Sequence, residues 1–317
     1  MRGVQAEAEK FRVELTGYVY RMLGSGADAE DAVQETLNRA WLHASRFDAG
    51  RGSLRMWLYR IATTVCLDML RSARRRARAV DLGPAVEAGA SLGVPLPERA
   101  WVRPVADARV LPECDDPADR AVRRESVRLA YVAALQRLSP RQRAVFVLRD
   151  VLGWPADEVA ELLATSVPSV TGALQRARAI VRRAGPVTPL DPEAAAVLER
   201  YCRAFERDDV AAMVALLRED ATMSMPPFAW WLRGREQIRQ ALRNGDGSCR
   251  GARMVPVAAN GSIGFWQERP TGPGGAYEPF ALMVFETAAG RITEITAFLD
   301  EPPGLWGRRV TNGAPGA

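Results

Sequence analysis

Histidine is nearly missing from this sequence: His43 is the only one in 317 residues, and residues 191–317 have none. Acid–base or metal chemistry that relies on imidazole therefore has almost nothing to work with. Cysteine is scarce and scattered. Cys66, Cys114, Cys202 and Cys249 form no CxxC pair and no ligand-spaced cluster, which argues against structural zinc and a disulfide framework and points to a reducing cytoplasm. No basic-then-apolar leader opens the chain, and no apolar run reaches the roughly 20 residues of a membrane span. A cytoplasmic protein with no membrane partner, no metal and no cofactor is expected. Lysine is missing too, apart from Lys10, so the formal charge of +5 is carried by arginine. Arginine's forked head suits phosphate, and the positive balance leans weakly towards a polyanionic partner.

What is present is helical punctuation. In residues 139–183, SPRQRAVFVLRDVLGWPADEVAELLATSVPSVTGALQRARAIVRR, Val159, Leu162 and Leu163 have helical spacing. A corner follows at residues 164–167, and Pro168 opens a second helix, where its missing N–H leaves nothing unpaired. Val170, Leu174, Ala177 and Val181 make the inward stripe of that helix. Ser169, Thr171, Gly172, Gln175, Arg176, Arg178 and Arg182 are left outside it. Two helices around a tight turn, the second carrying Gln and Arg outward, read as a helix-turn-helix able to enter a major groove. An antiparallel helix pair with a solvated outer face fits the same residues.

Residues 7–79 are also helical in pattern, broken at GSGAD and FDAGRGS. In DAEDAVQETLNRAW, Val33, Leu37 and Trp41 share one stripe, while Asp31, Gln34, Glu35 and Asn38 share the opposite one. In SLRMWLYRIATTVCLDMLRSARRRAR, Trp57, Tyr59 and Arg60 precede Thr63 and Thr64, and Arg71, Arg74, Arg75, Arg76 and Arg78 crowd the end. Aromatics beside arginines suit a single nucleic-acid strand, stacking on its bases and neutralising its backbone. A helix with a core-facing Trp57 and a basic C-terminus fits as well.

These two stretches, in this order and at this separation, resemble regions 2 and 4 of the extracytoplasmic-function (ECF) group of RNA polymerase sigma factors. The resemblance implies that Asp28, Asp31, Gln34, Glu35 and Asn38 dock on the polymerase core, at its largest subunits. It implies that Phe47, Arg51, Ser53, Trp57, Tyr59, Arg60, Thr63, Thr64, Arg71, Arg74 and Arg75 hold the melted −10 strand. It also implies that Ser169, Thr171, Gly172, Gln175, Arg176 and Arg178 read the −35 duplex. Thr64 departs from the Asn common in the family, and Thr171-Gly172 from an Arg-Ser pair, so the promoter sequence does not follow.

Residues 80–118 read as an irregular, Pro/Gly/Ala-rich linker in which Trp101 and Leu111 are the bulky anchors. Residues 119–184 form the region 4 module, followed by a second linker at 185–191. Residues 192–300 change character. Two helices, at 193–206 and 210–218, precede a short strand at Met223 and Met225, a helix within WWLRGREQIRQAL, and four alternating runs. That order predicts an α+β cone, a curved sheet wrapped on helices. It resembles the SnoaL-like branch of the nuclear-transport-factor-two-like superfamily. Met223, Met225, Phe228, Trp230, Trp231, Trp266, Met283 and Phe298 are candidates to line its pocket, for an unidentified small ligand. Asp220, Glu268 and Asp300 are its available acids and form no evident pair. The tail at 301–317 reads as flexible, with Trp306 as a docking point.

The fold expected is therefore multidomain: two all-α sigma modules followed by an α+β SnoaL-like cone. The function expected is a sigma factor that brings polymerase core to promoter DNA, with the C-terminal module regulating it and no catalysis of its own. Two alternatives are a ligand-responsive helix-turn-helix regulator and an enzyme of the cyclase or isomerase kind carrying a DNA-binding module.

Overall fold

A computed structural model describes residues 2–50, 52–71, 76–183, 193–245, 247, 249–271 and 276–306. The chain divides into two compact units. The first joins residues 1–77 to 99–187; the second joins residues 78–98 to 188–317. The chain thus leaves the first unit after residue 77, contributes a segment to the second, and returns.

The first unit is all helical: α1 (Arg2–Glu9), α2 (Arg12–Leu23), α3 (Gly26–Leu42), α4 (Leu54–Leu70), α5 (Asp107–Val110), α6 (Pro117–Glu125), α7 (Leu129–Leu135), α8 (Pro140–Phe146), α9 (Ala156–Leu162) and α10 (Val167–Arg183). A turn of π-helix, Val147–Val151, prolongs α8. Its centre is α2, whose residues from Leu15 to Leu23 are all buried. A helix buried on every side must pair its polar groups internally. Tyr18 shares a hydrogen bond with Thr63 at 2.8 Å, and the Tyr20 hydroxyl donates to the Arg103 carbonyl at 2.9 Å. The Arg21 guanidinium donates to Ser126 Oγ at 2.7 and 3.0 Å. Gly24, at φ 75°, closes the helix by donating its N–H to the Tyr20 carbonyl. Ser25, Ser53 and Ser139 cap α3, α4 and α8 by accepting from Asp28, Met56 and Gln142 N–H groups.

α4 does not reach Arg76. It ends at Leu70, and Arg76 is buried, pairing with Asp28 and donating to the Trp101 carbonyl at 2.8 Å. Ala77 and Trp101 form a parallel bridge, and Trp101 is fully buried, an anchor as its bulk suggested.

The second unit holds α11 (Ala194–Glu206), α12 (Val210–Ala215), α13 (Arg235–Asn244) and the strands β1 (Leu217–Ser224), β2 (Trp231–Arg233), β3 (Arg253–Ala259), β4 (Ser262–Pro270), β5 (Tyr277–Ala288) and β6 (Arg291–Phe298). The six strands run β2-β1-β6-β5-β4-β3, antiparallel except for the β1–β6 pair. Asn260-Gly261 and Ala289-Gly290, all at positive φ, turn the β3–β4 and β5–β6 hairpins, as two-residue hairpin loops require. One face of the sheet packs on the helices through Leu198, Tyr201, Leu217, Ile238, Phe265 and Phe285.

One expectation for this unit is corrected. The helix expected over 210–218 stops at Ala215, because Leu217 is taken into β1 beside Ile292. The helix expected within WWLRGREQIRQAL is α13, which carries Ile238 and Leu242; Gly234, at φ 90°, separates it from β2, where Trp231 pairs with Ser224. Local hydrophobic spacing could not reveal the change at Leu217, since it depends on a strand partner distant in sequence.

Candidate promoter and polymerase interface

The exposed side of α3 carries the first candidate set. Asp31, Gln34 and Asn38 are exposed, and Gln34 donates to Asn38 at 3.5 Å along one helix face. Glu35 is half-buried and paired with Arg39 at 2.6 Å. Asp28 differs: its carboxylate holds Arg76, so its charge serves the fold. Trp41, expected on the inward stripe, is instead 49% exposed, and its neighbour Leu42 is 66% exposed. Trp41 lines a cavity of about 350 Å³ together with Gln34, Leu37 and Asn38. Amides, an acid and two uncovered apolar side chains make a surface suited to a protein partner.

The second set is split by burial. Phe47 and Trp57 stack with centroids 5.3 Å apart at the mouth of α4. Ser53 is spent on its cap. Arg60 and Thr64 are exposed on one face, and Arg71 is exposed and paired with Asp68 at 3.1 Å. Tyr59 and Thr63, expected on that face, are buried. The Tyr59 hydroxyl donates to Glu14 at 2.8 Å, and Thr63 donates to the Tyr59 carbonyl at 2.7 Å. They face inward because α4 packs on α2 through that side. Arg51, Arg74 and Arg75 lie outside the described residues.

The third set is the helix-turn-helix. Ala164, at φ 48°, makes the corner between α9 and α10. The Ser166 hydroxyl accepts from the Ser169 N–H at 3.4 Å at the start of α10. Val170, Leu174 and Ala177 are buried, whereas Ser169, Thr171, Gln175, Arg176 and Arg178 are exposed. Arg178 is held by Asp150 through two bonds of 2.7 and 2.8 Å, whereas Gln175 and Arg176 are exposed forked ends outside that pair. A Cβ on Gly172 would meet only the flexible tip of Arg176, so packing does not demand glycine there.

These last two sets touch one another. Tyr59 and Trp154 stack at 4.7 Å, the Arg55 guanidinium lies 4.7 Å over the Trp154 ring, and Arg60 pairs with Glu161 of α9 at 3.2 Å. Arg143 of α8 donates to the Met22 carbonyl and to Gln136 at 2.5 Å. Reading the sequence alone missed Trp154 and two of the buried arginines, Arg21 and Arg143. Nothing in a helical period marks an arginine as buried.

In the second unit a cavity of about 1020 Å³ opens between the sheet and its helices. Met223, Met225, Trp230 and Met283 line it, as expected. Trp231, Trp266 and Phe298 are not among its lining residues. Trp231 donates its indole N–H to the Gly83 carbonyl at 3.0 Å, Trp266 packs edge-to-face on Trp306, and Phe298 is fully buried core. Trp306, expected in a flexible tail, lies in a short 3₁₀ turn, 7% exposed, because the Trp266 ring and Glu301 receive it. Asp220 is exposed beside Arg218, which holds its carboxyl below the usual range; Glu268 is buried against Arg253; neither lines the cavity. Cys202 is buried, and burial pushes its thiol up to about 12.

Residues 8–76 match the sigma-70 region 2 model, residues 128–181 the sigma-70 region 4 model, and residues 198–295 the SnoaL-like domain model. The ECF RNA polymerase sigma factor SigG of Mycobacterium tuberculosis is 42% identical over 310 residues, covering 93% of this chain and 80% of SigG. The chain belongs to the ECF sigma factors of RNA polymerase. SigJ of the same organism is 31% identical over 314 residues, covering 95% of this chain and 90% of SigJ. The crystal structure of SigJ superposes with a TM-score of 0.63 at 26% identity, over 95% of this sigma factor and 98% of SigJ. A sigma factor works with RNA polymerase core on promoter DNA, and the relatives are not enzymes in their own right. Among the described residues, no helix is long and apolar enough to cross a membrane.

Proposed function

We propose that this sigma factor grips one promoter through two surfaces that its free form keeps folded together. Residues 7–79 supply the core-docking face of α3, with Asp31, Gln34, Glu35 and Asn38, and the −10 strand face, with Phe47, Trp57, Arg60 and Thr64. Residues 119–184 supply α10, whose Ser169, Thr171, Gln175 and Arg176 enter the −35 major groove. The nucleotide chemistry is the polymerase's. The cone at 192–300 is a regulatory module rather than a catalyst: it has no histidine, and no acid other than Asp208 faces its cavity among the described residues.

The observation that carries this reading is the contact between α4 and α9. The −10 and −35 elements are centred about 25 base pairs apart, on the order of 85 Å of duplex at ~3.4 Å per pair. Side chains 3.2 Å apart cannot serve both at once, so Arg60 must leave Glu161 before the promoter is bound. The packed form is a resting state, and polymerase and DNA shift the population away from it.

Run-off transcription with core enzyme and genomic fragments tests the reading. The full chain is expected to initiate at discrete sites. Gln175→Ala with Arg176→Ala should lower initiation at −35-dependent sites by roughly 10- to 100-fold, from ~1–3 kcal/mol per forked contact. A chain that binds no core, or a holoenzyme that never initiates, would leave the regulator alternative standing instead.

A further inference from the structure

Residues 78–98 connect the two halves of the helical unit, yet they fold with the cone. Residues 82–97 form no regular helix or strand of their own, so their backbone groups need partners elsewhere. They find them on β2, α13 and the loop before β2. The Val86 N–H donates to the Trp231 carbonyl at 2.9 Å, and the Leu96 N–H to the Pro227 carbonyl at 2.8 Å. The Ala88 N–H donates to Gln237 at 2.8 Å. In return the Trp230 and Trp231 indoles donate to the Ala90 and Gly83 carbonyls at 3.2 and 3.0 Å. Val86 and Leu92 pack on the cone's core, and Arg78 pairs with Glu294 at 3.2 Å. The strap formed in this way walls the large cavity with residues 88–92.

The rest of the cavity says what would enter. Its floor is apolar and rich in methionine, a side chain that adapts to flexible alkyl ligands. Its described charged residues are three arginines, Arg243, Arg250 and Arg269, against one acid, Asp208. Arg243 and Arg250 are exposed and so stand at the mouth. Asp208 is 3.7 Å from Arg250 and offsets part of that charge, and Arg243 stands beside it as the second guanidinium of the described mouth. A volume of about 1020 Å³ is at the upper end of small-molecule sites and accommodates a medium-to-long acyl chain.

We infer that the cone binds a monoanionic amphiphile of the fatty-acid class, tail among the methionines and carboxylate at the arginines, and that the bound ligand locks the strap onto the cone. The direction follows from linkage: a ligand that touches residues 88–92 only when they are docked stabilises the docked strap, and docking tightens the ligand. The consequence for initiation rests on the reading above. About 20 residues reach at most ~70 Å when extended, and held on the cone they give the two promoter-binding halves no slack to part. The ligand is thus an inhibitor of opening.

Binding and locking are tested on the full chain without polymerase, so they can fail while the sigma reading stands. Dodecanoate is titrated by calorimetry, with dodecyltrimethylammonium as the cationic control, and exchange of the Val86, Ala88 and Leu96 amides is followed. Saturable dodecanoate binding is expected, weakened about tenfold or more by Arg243→Glu with Arg250→Glu, two exposed positions that the fold does not bury. At a hundredfold excess over Kd the strap amides should exchange up to ~100-fold more slowly. Absence of saturable binding, equal affinity for the cation, or amide exchange unchanged or faster at saturation would each overturn the inference.

Discussion

At the scale of single residues, both units are held by groups whose neutral or hydrogen-bonded form only the fold protects. Arg21 and Arg143 place guanidinium donors on carbonyls and hydroxyls inside the unit, where each buried donor left unpaired would cost about 1–3 kcal/mol. Burial likewise pushes up the thiols of Cys66 and Cys202 and the phenols of Tyr18, Tyr59, Tyr131 and Tyr201. For Cys202 the rise is from 9.0 to about 12. A raised thiol gives its full stabilisation below its unfolded value and loses it as pH climbs towards the folded one. Stability should therefore fall between pH ~9 and ~12, with Cys202 alone contributing on the order of 2 kcal/mol by pH ~10.5. Urea midpoints at pH ~8 and ~10.5 check this, and equal midpoints would contradict it. In the same protein at pH ~8, a thiol reagent should reach exposed Cys249 first and buried Cys66 and Cys202 only on unfolding.

At the scale of elements, α10 and the strap carry contrasting lessons. The inward stripe of α10 is where helical spacing puts it, and its outward residues are exposed. What the period leaves out is Asp150, which holds Arg178 from the turn after α8. Gly172 is the informative position, because nothing inside the protein fills the space a Cβ would take beyond the tip of Arg176. Gly172→Ala should raise helix stability by roughly 0.5–1 kcal/mol. If backbone approach to DNA is what the glycine serves, the same change lowers run-off transcription at −35-dependent promoters. A variant with higher Tm and unchanged transcription would show that the glycine has no role in the groove. The strap is the opposite case. Its own composition predicts only an irregular connection, and its placement comes from Trp230, Trp231 and Gln237, more than 130 residues later.

At the scale of the whole molecule, the helical unit joins the two promoter-reading modules through a mixed contact. Tyr59 and Trp154 are buried and apolar, whereas Arg60 and Glu161 are exposed, 49% and 62% at their side chains. An exposed pair is worth about 0.2–1 kcal/mol, so reversing one charge biases the closed form without unfolding the protein. Glu161→Arg is expected to leave Tm within a degree or two and to tighten binding to core polymerase roughly twofold to fivefold. Titration of labelled full chain with core measures it, and unchanged affinity would mean that this contact does not restrain opening.

Legible in the residues were the three modules in order, the helix-turn-helix with its inward and outward residues, and the four alternating runs of the cone's sheet. Those are local properties: periodicity, caps and turn residues act within a few positions of each other. Tertiary structure alone decided which members of a face are covered and by what. Tyr59 and Thr63 turned inward on α2, Asp28 was claimed by Arg76, and Trp231 was drawn into a strand by Ser224. Trp306 came to rest on Trp266, and residues 82–97 on the cone. Each of these depends on a partner far away in the chain, and a partner brought near only by folding leaves no periodic trace at the position it claims.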